Sequence, residues 1–262
     1  MNPETSDPVQ QGACPAPALM EDPQAEVERL QRELAQARSE LEDFTHSVSH
    51  DLRASLRHVN AYVQLIHEDL GQDMSTELAA HLNTVRQAAA QMTRQIDGLT
   101  ELSRLGRIEL HCDVLALAPL AQEVIMALAP TLDGRPIEWQ VAADIPPLRA
   151  DAALLGQVLT HLLSNAVKAT RTRSPARITI SWQMHSSGGC ALTVTDNGIG
   201  FKPQYAQQLF HVFQRLHPAR EFEGLGMGLA LSRKIIERHG GTVWASGAVE
   251  AGCSVSFTLP LA

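Results

Sequence analysis

The sequence predicts two domains of different class, an all-α helical hairpin followed by an α+β domain. Apolar residues recur at heptad spacing over residues 27–105, as in helices that pack lengthwise against one another. From Pro119 onward, segments of helical periodicity instead alternate with short segments of two-residue periodicity. The chain has 262 residues, 44% of them hydrophobic, which is enough to bury one or two cores. We divide it into residues 1–23, 24–108 and 109–262.

Composition limits the partners that the chain can have. Its formal charge is −8 and it contains only three lysines, which argues against binding to nucleic acid or to an anionic membrane surface. No apolar run reaches the roughly 20 residues of a membrane span, and the N-terminus lacks a signal pattern. The four cysteines are scattered without a C-x-x-C pair, as is usual for reduced thiols. We therefore expect a cytoplasmic protein.

A long helix follows residues 1–23, which are rich in Pro, Gln and acids and are interpreted as a disordered tail. From Val27 the apolar positions alternate steps of three and four. This is the seam of a coiled coil, and it implies a partner helix. After Val48 the next apolar positions are Leu52 and Leu56, and two consecutive steps of four make a stutter that locally unwinds the supercoil.

His50 and Asp51 lie side by side at this stutter. At about 100° per residue, His50 is about 200° from both Val48 and Leu52, so it faces away from the seam. A lone exposed histidine is usually only solvated, and the chain has eleven. Asp51 distinguishes this one, because a carboxylate can orient the imidazole and make its far nitrogen more nucleophilic.

A second helix follows a turn in which Ser75 or Asp73 is expected to be the N-cap. Its heptad positions run from Leu78 to Leu99, and it ends near residues 105–106. Two antiparallel helices of this kind bury only one stripe each. A homodimer in which two hairpins form a four-helix bundle satisfies both seams. The alternative is a coiled-coil hairpin within one chain, with no function beyond dimerisation.

The second domain is predicted to place helices on one face of a mixed sheet. After a connector with a short extended piece at residues 107–118, we predict a helix at 119–129 and a strand at 137–141. A long helix at 152–170 begins after Asp151. Alternation at 178–184 and 191–195 around a Ser-Gly turn predicts a β-hairpin. A helix at 227–239 and strands at 242–246 and 254–259 complete the domain.

Two segments of this domain carry candidate ligand-binding side chains. On the long helix, Asn165 and Lys168 lie one turn apart, on a different face from the apolar core positions. An amide oxygen beside an ammonium group suits a metal ion and a phosphate. Asp196 ends a buried strand just before Gly198 and Gly200. A carboxylate there, with backbone free to approach closely, suits the exocyclic amino group of a purine.

A third segment is glycine-rich: Gly224, Gly226 and Gly228 precede Leu229 at the start of a helix. Such an N-terminus can bind phosphate through backbone N–H groups. The segment is not a P-loop, since G-x-x-x-x-G-K-[ST] does not occur, and it follows a loop rather than the strand of a dinucleotide fingerprint. Each cluster alone is more often a turn than a site. The order and spacing of all three indicate a nucleotide site.

Together these segments resemble a known family. Residues 44–56 (F-T-H-S-V-S-H-D-L-R-A-S-L) are similar to the phosphoacceptor box of two-component sensor histidine kinases. Four later segments resemble, in the same order, the ATP-binding boxes of that family: those around Asn165, Asp196-x-Gly198-x-Gly200, Phe210-x-x-Phe213 and Gly224-x-Gly226-x-Gly228-Leu229. Residues 213–217 and 237–241 are most similar to the phytochrome-type branch. The resemblance implies a dimerisation and phosphotransfer bundle joined to a gyrase-like ATP-binding domain.

The resemblance also implies residue roles. His50 corresponds to the phosphorylated histidine and Asp51 to an acidic general base. Asn165 corresponds to a ligand of Mg²⁺, Lys168 to a phosphate contact and Asp196 to the acceptor of the adenine amino group. The residues that would shape the ATP pocket and its lid are Gly198, Gly200, Gly224, Gly226, Gly228 and Leu229. The implied reaction is phosphoryl transfer from ATP to His50, and then to an aspartate of a separate response regulator, since no receiver domain is found in the sequence.

Several positions depart from the family pattern. Ser55 stands where a helix-bending proline is usual, so a kink there would depend on the stutter. Ala54 occupies the position of a Thr or Asn in kinases that also dephosphorylate their regulators, which argues against phosphatase activity. Three further departures are expected to weaken ATP binding without abolishing it: Ala169 for an aromatic residue, His161 for an Asn and Leu225 for a Thr.

Two other functions are weighed against a homodimeric histidine kinase. A degenerate kinase would bind nucleotide as a structural ligand, without turnover or phosphotransfer. It would act as a scaffold or dimerisation partner. A gyrase- or MutL-like ATPase, or a serine kinase, would share the nucleotide fold but would not explain a helical hairpin that carries His50 and Asp51. No sensor domain fits into the first 40 residues. Input is therefore expected from an upstream partner protein or through the helix that begins at Val27.

Overall fold

The computed structural model describes residues 23–71, 74–132, 134–186, 188–216 and 224–262. The predicted tail therefore lies outside the described residues, except for Pro23, which begins the first helix. The chain divides into two compact units, Met1–Phe44 and Thr45–Ala262. In the parts of the chain that are described, no helix is both long and apolar enough to cross a membrane. The cysteines that can be described, Cys112, Cys190 and Cys253, are free thiols.

The first unit contains the beginning of helix α1, Pro23–Leu70. Arg29 forms ion pairs with Glu26 and Glu33 along the helix surface, which support the helix by a few tenths of a kcal/mol per pair. The predicted seam residues of this unit are 50–66% exposed: Val27, Leu30, Leu34, Leu41 and Phe44. An apolar stripe of this length is stable in water when another helix covers it.

In the second unit, the remainder of α1 is followed by α2, Thr76–Arg107. Ser75 is the N-cap of α2 and accepts a hydrogen bond from the backbone N–H of Leu78, whereas Asp73 lies outside the described residues. Leu56, Ala89 and Ile96 form a small buried cluster. Other seam positions of this unit are half-buried, such as Val63, Leu78, Leu82 and Leu99, or exposed: Val48, Leu52, Val59, Ile66, Val85 and Met92.

A five-stranded mixed sheet is the framework of the C-terminal part. Its strands are β2 (Ile137–Val141), β4 (Ala176–Met184), β5 (Cys190–Asp196), β6 (Val243–Gly247) and β7 (Cys253–Leu259), in the order β2-β4-β5-β7-β6. The β2–β4 pair is parallel and the other pairs are antiparallel. Two residues of β5 matter below: Asp196 lies opposite Cys253 of β7, and Val194 lies opposite Val255.

Helices cover one face of this sheet, as predicted. They are α3 (Leu117–Leu128), α4 (Ala152–Ala169) and α5 (Gly228–Arg238). The core between the helices and the sheet contains Leu155, Leu159, Leu163, Ile178, Ile180, Leu192, Ile235, Ile236 and Phe257, all of them almost completely buried. The predicted α+β layer is therefore confirmed.

Two features of this domain differ from the prediction. Helix α3 begins at Leu117 rather than Pro119, because a proline in the first turn needs no N–H partner and does not end the helix. A small antiparallel sheet of β1 (Asp113–Leu115) and β3 (Leu148–Ala150) was only partly predicted, as an extended piece near β1. Strands of three residues are too short to show a two-residue alternation.

Candidate functional site

A cavity of about 1320 Å³ opens between α2, α4, the ends of β5 and β7, and the segment that leads into α5. Many predicted site residues line it: Asn165, Lys168, Asp196, Gly200, Gly224, Gly226, Gly228 and Leu229. Gly198 is buried next to it, between Asp196 and Gly200. The fold therefore brings the three candidate segments of the second domain to one place.

Helix α4 supplies one wall of the cavity because its two faces differ. Leu159 and Leu163 are completely buried against the sheet, and the helix starts at Asp151, whose side chain accepts a hydrogen bond from Leu154 N–H. The opposite face carries the polar groups. Asn165 and Lys168 line the cavity there. Core packing of one face thus points the other face into the cavity.

Asp196 lines the cavity at the point where β5 ends. Its Oδ1 accepts a hydrogen bond of 2.8 Å from Gly198 N–H. Burial raises the pKa of Asp196 to about 6, against the opposing effect of backbone N–H groups of Gly198 and Cys253. An added Cβ at Gly198 would collide with the carbonyl oxygen of Ala169. The glycine therefore lets the chain cross the end of α4 directly beside the carboxylate.

The segment before α5 forms the cavity's outer edge. Gly226 has a φ of +71°, and a Cβ there would lie 2.5 Å from the carbonyl oxygen of Gln214. The Gly226 carbonyl accepts a hydrogen bond from Phe213 N–H. This position therefore requires glycine for two reasons: its φ is positive, and no space is available for a Cβ atom. Met227 caps α5 without a side-chain hydrogen bond, so the N-cap side chain does not occupy the N–H groups of the first turn.

Helix α2 supplies a wall that the sequence did not predict. Gly98 packs against Met227, where a Cβ would lie 2.9 Å from the Met227 Cγ. Arg238 of α5 donates hydrogen bonds to the carbonyl oxygens of Leu105 and Ile108, at 2.5 and 2.6 Å. These carbonyls belong to the end of α2, where they lack helical partners. A glycine within the heptad run was the only signal in the sequence for this contact.

His161 is a further cavity residue, noted in the sequence only as a departure from a family pattern. It lies on α4 one turn before Asn165, and its Nδ1 is 3.3 Å from the hydroxyl oxygen of Ser232 on α5. Burial lowers the pKa of His161, and Lys168 adds to this effect, while Glu101 of α2 opposes it. Glu101 itself forms an ion pair with Arg104.

His50 and Asp51 lie apart from the cavity, since neither lines it. Their side chains are 68% and 79% exposed, and His50 Nδ1 is 3.3 Å from Asp51 Oδ1. The hydroxyl of Ser55 donates to the Asp51 carbonyl oxygen, a local bond that a proline could not make. On α1, Arg53 forms an ion pair with Asp97 of α2 and a hydrogen bond to Thr100. The predicted phosphate acceptor, His50, is therefore accessible to solvent, on a hairpin whose two helices are joined by the contacts of Arg53.

Among the described residues, no group of three or more His, Cys, Asp or Glu side chains could hold a metal ion. A Mg²⁺ ion that accompanies a nucleotide does not need such a group, because it keeps several waters and takes phosphate oxygens as ligands. The oxygen of Asn165 at the cavity wall suits a site of this kind.

Comparisons with known proteins identify the class of the domain that the sheet and its helices form. The family model for the histidine kinase-, DNA gyrase B- and HSP90-like ATPases matches residues 150–262. Cyanobacterial phytochrome B of a Nostoc species is 29% identical over 235 residues, which are 89% of this chain and 31% of that protein. The methanogenesis regulatory histidine kinase FilI of Methanothrix harundinacea is 31% identical over 222 residues, 85% of this chain and 25% of that protein.

The fold is also that of a solved kinase structure. Full-length ShkA, in a crystal structure in complex with AMPPNP, superimposes with a TM-score of 0.60 at 23% identity, covering 84% of this chain and 46% of that one. The chain spans a quarter to a third of the length of the two relatives above. Residues 150–262 therefore belong to the histidine kinase-, DNA gyrase B- and HSP90-like ATPases, and the relatives support a sensor histidine kinase transmitter module.

Replacing Arg238 by alanine is expected to loosen the end of α2. Hydrogen bonds from a charged donor contribute about 1.5–3 kcal/mol each, so amide hydrogen exchange over residues 105–110 should accelerate by at least about tenfold. Arg233→Ala is the matched control on α5. Within the described part of the chain Arg233 pairs only with Glu237, at the exposed surface, and such pairs contribute little. Equal exchange rates at the end of α2 in the two variants would contradict the role assigned to Arg238.

Proposed function

We propose that this protein is an ATP-dependent histidine kinase that phosphorylates His50 and passes the phosphoryl group to an aspartate of a response regulator. The observation that carries the proposal is the position of α2. This helix is one half of the hairpin whose other half bears His50 and Asp51, and it is also a wall of the cavity. The proposed phosphate acceptor, His50, and the proposed nucleotide site therefore both involve the α1–α2 hairpin.

Asp196 is suited to receive the adenine amino group. Its Oδ1 already accepts the Gly198 N–H, and a carboxylate has lone pairs left for a second donor. The carboxylate is buried, so a hydrogen bond to it is shielded from water and discriminates between bases that donate and bases that do not. Adenine, which donates from its amino group, fits this acceptor.

Three other kinds of group in the cavity lining are suited to the phosphates. Lys168 supplies a positive charge from the cavity wall, and the N-terminus of α5 supplies backbone N–H groups and the positive end of the helix dipole. Asn165 would hold Mg²⁺ together with phosphate oxygens and water. When bound, this ion neutralises charge that develops on the phosphate oxygens.

The chemical step would be an in-line displacement. The bare Nε2 of His50 attacks the γ-phosphorus, the new N–P bond forms, and the bond to the bridging oxygen breaks, so that ADP leaves with the electron pair. Asp51 would hold the proton on Nδ1 and balance the positive charge of the phosphorylated ring. Because His50 does not line the cavity, transfer requires a movement of the ATPase domain or the acceptor of a second protomer.

Homodimerisation is part of the proposal. The exposed seam residues of α1 and α2 offer an apolar stripe that a second copy of the hairpin would cover, in a four-helix bundle. The response regulator and any upstream sensor protein are the further partners proposed. Ala54, four residues after His50, brings no group that could position an attacking water, so we propose kinase activity without efficient phosphatase activity.

Incubation with Mg²⁺ and γ-labelled ATP is the test of the function. We expect acid-labile, alkali-stable phosphate on the wild type and only background on His50→Gln. His58→Gln, which changes an exposed histidine two helical turns later on α1, is the control and should label normally. Labelling that persists in His50→Gln would contradict the proposal. Acid-stable phosphate would indicate a serine kinase, and nucleotide binding without labelling would indicate a scaffold.

Acidification is expected to weaken nucleotide binding through Asp196. Its pKa is about 6, and an amino donor binds the ionised carboxylate, so affinity should fall as the pH drops through 6. Between pH 7.5 and pH 5 the ionised fraction decreases about tenfold, and the dissociation constant should rise by about that factor. Titration with a fluorescent ATP analogue at each pH measures this dissociation constant.

Two variants isolate this effect from protonation of the nucleotide itself. Asp196→Asn should bind more weakly at pH 7.5 and should lose the part of the pH dependence that comes from the carboxyl group. Asp113→Asn changes an exposed carboxylate on β1 and should behave as the wild type. An identical pH profile for Asp196→Asn and the wild type would rule out Asp196 as the base acceptor.

A further inference from the structure

His161 and Asn165 are four residues apart on α4, so their side chains lie on the same helical face, and both line the cavity. The proposed function gives a role to Asn165 and none to His161. An imidazole and an amide at this spacing are a pair of potential metal ligands, provided that the imidazole presents a nitrogen without a proton.

The hydrogen bonds around Ser232 determine which nitrogen of His161 carries the proton. The Ser232 hydroxyl donates its single proton to the carbonyl oxygen of Gly228, at 2.8 Å. Toward His161 Nδ1, at 3.3 Å, the same oxygen can therefore only accept. Nδ1 must carry the proton of the neutral ring, and Nε2 is left as a bare lone pair.

Nε2 faces open space. The hydrogen bond of the His161 ring to Ser232 involves Nδ1 and not Nε2. Among the described residues, Arg173 Nε is the only buried side-chain atom without a partner, so an Nε2 without a partner is not a buried atom. Since His161 lines the cavity, this open space is the cavity. The charged groups that act on the ring are Glu101 of α2 and Lys168 of α4, and α5 adds the polar Ser232.

This nitrogen lies at the phosphate end of the cavity. Gly228 is the first residue of α5, and a Cβ built on it would lie 3.3 Å from His161 Cγ. Phosphates held at the α5 N-terminus therefore come close to the imidazole. With its proton on Nδ1, the ring presents the lone pair of Nε2 to oxygen atoms that are themselves negative. A cation between the two removes this repulsion.

We propose that His161 Nε2, together with Asn165 Oδ1, is a ligand of the divalent ion that accompanies the nucleotide phosphates. The inference rests on the proposed nucleotide site. A nitrogen ligand has a consequence for ion choice, because Mg²⁺ prefers oxygen ligands whereas first-row transition ions bind imidazole well. The site therefore favours ions such as Mn²⁺ over Mg²⁺ more than an all-oxygen site does.

Pulsed electron paramagnetic resonance of the full chain with Mn²⁺ and AMPPNP tests this directly, with no turnover needed. The wild type should show the ¹⁴N modulation of a directly coordinated imidazole. His161→Asn, which restores an oxygen ligand, should lose that modulation. His211→Asn, which removes an exposed histidine outside the cavity lining, should keep it. Ser232→Ala should weaken it, because it frees the ring to turn.

Competition between the two ions gives a second readout. The preference for Mn²⁺ over Mg²⁺ in AMPPNP binding should fall about tenfold in His161→Asn and stay unchanged in His211→Asn. Tight Mn²⁺-AMPPNP binding by the wild type without nitrogen modulation would overturn the assignment of His161 and leave the nucleotide site intact. Modulation that survives in His161→Asn would overturn it as well. No AMPPNP binding with either ion would refute the nucleotide site itself.

Discussion

The structure depends most on the two-faced packing of α4. Its leucine face is buried against β4 and β5, and burial of a leucine stabilises a fold by about 1.5–3 kcal/mol. That packing fixes the rotation of the helix. The face with His161, Asn165 and Lys168 consequently lines the cavity. Asp196 is placed by the same sheet, at the end of β5. One hydrophobic interface thus sets the distance between Asp196 and the polar side chains of α4.

The second constraint is the contact of α2 with α5. Arg238 binds carbonyl oxygens at the end of α2, and Gly98 admits Met227 at the start of α5. Both contacts join the hairpin to the helix whose N-terminus would hold the phosphates. A shift of α2 therefore changes the cavity itself. This connection offers a route by which a signal that enters the hairpin could reach the nucleotide, within one compact unit of the chain.

Much of this arrangement was predictable from the sequence, and the remainder was not, for physical reasons. Strong periodicity predicted α4 and the β4–β5 hairpin. Asp151 was correctly identified as the cap of α4, and Ser75 was one of the two candidates for the cap of α2. The α2 wall was missed because Arg238 contacts backbone carbonyls more than 100 residues away, and a backbone carbonyl carries no signature in the sequence. The tautomer of His161 depends on Ser232, which α5 supplies. The roles of His50, Asp51, Asn165, Lys168 and Asp196 remain predictions.

Amide hydrogen exchange of the full chain, with and without saturating Mg²⁺-AMPPNP, tests the central claim most directly. The central claim is that one cavity holds the nucleotide between α4, the end of β5 and the start of α5. Slower exchange is expected in residues 161–169, 196–201 and 224–231, with the exposed strand β1 unchanged. Protection that is absent from all three segments, or that appears only in the hairpin away from α2 residues 91–101, would contradict the account.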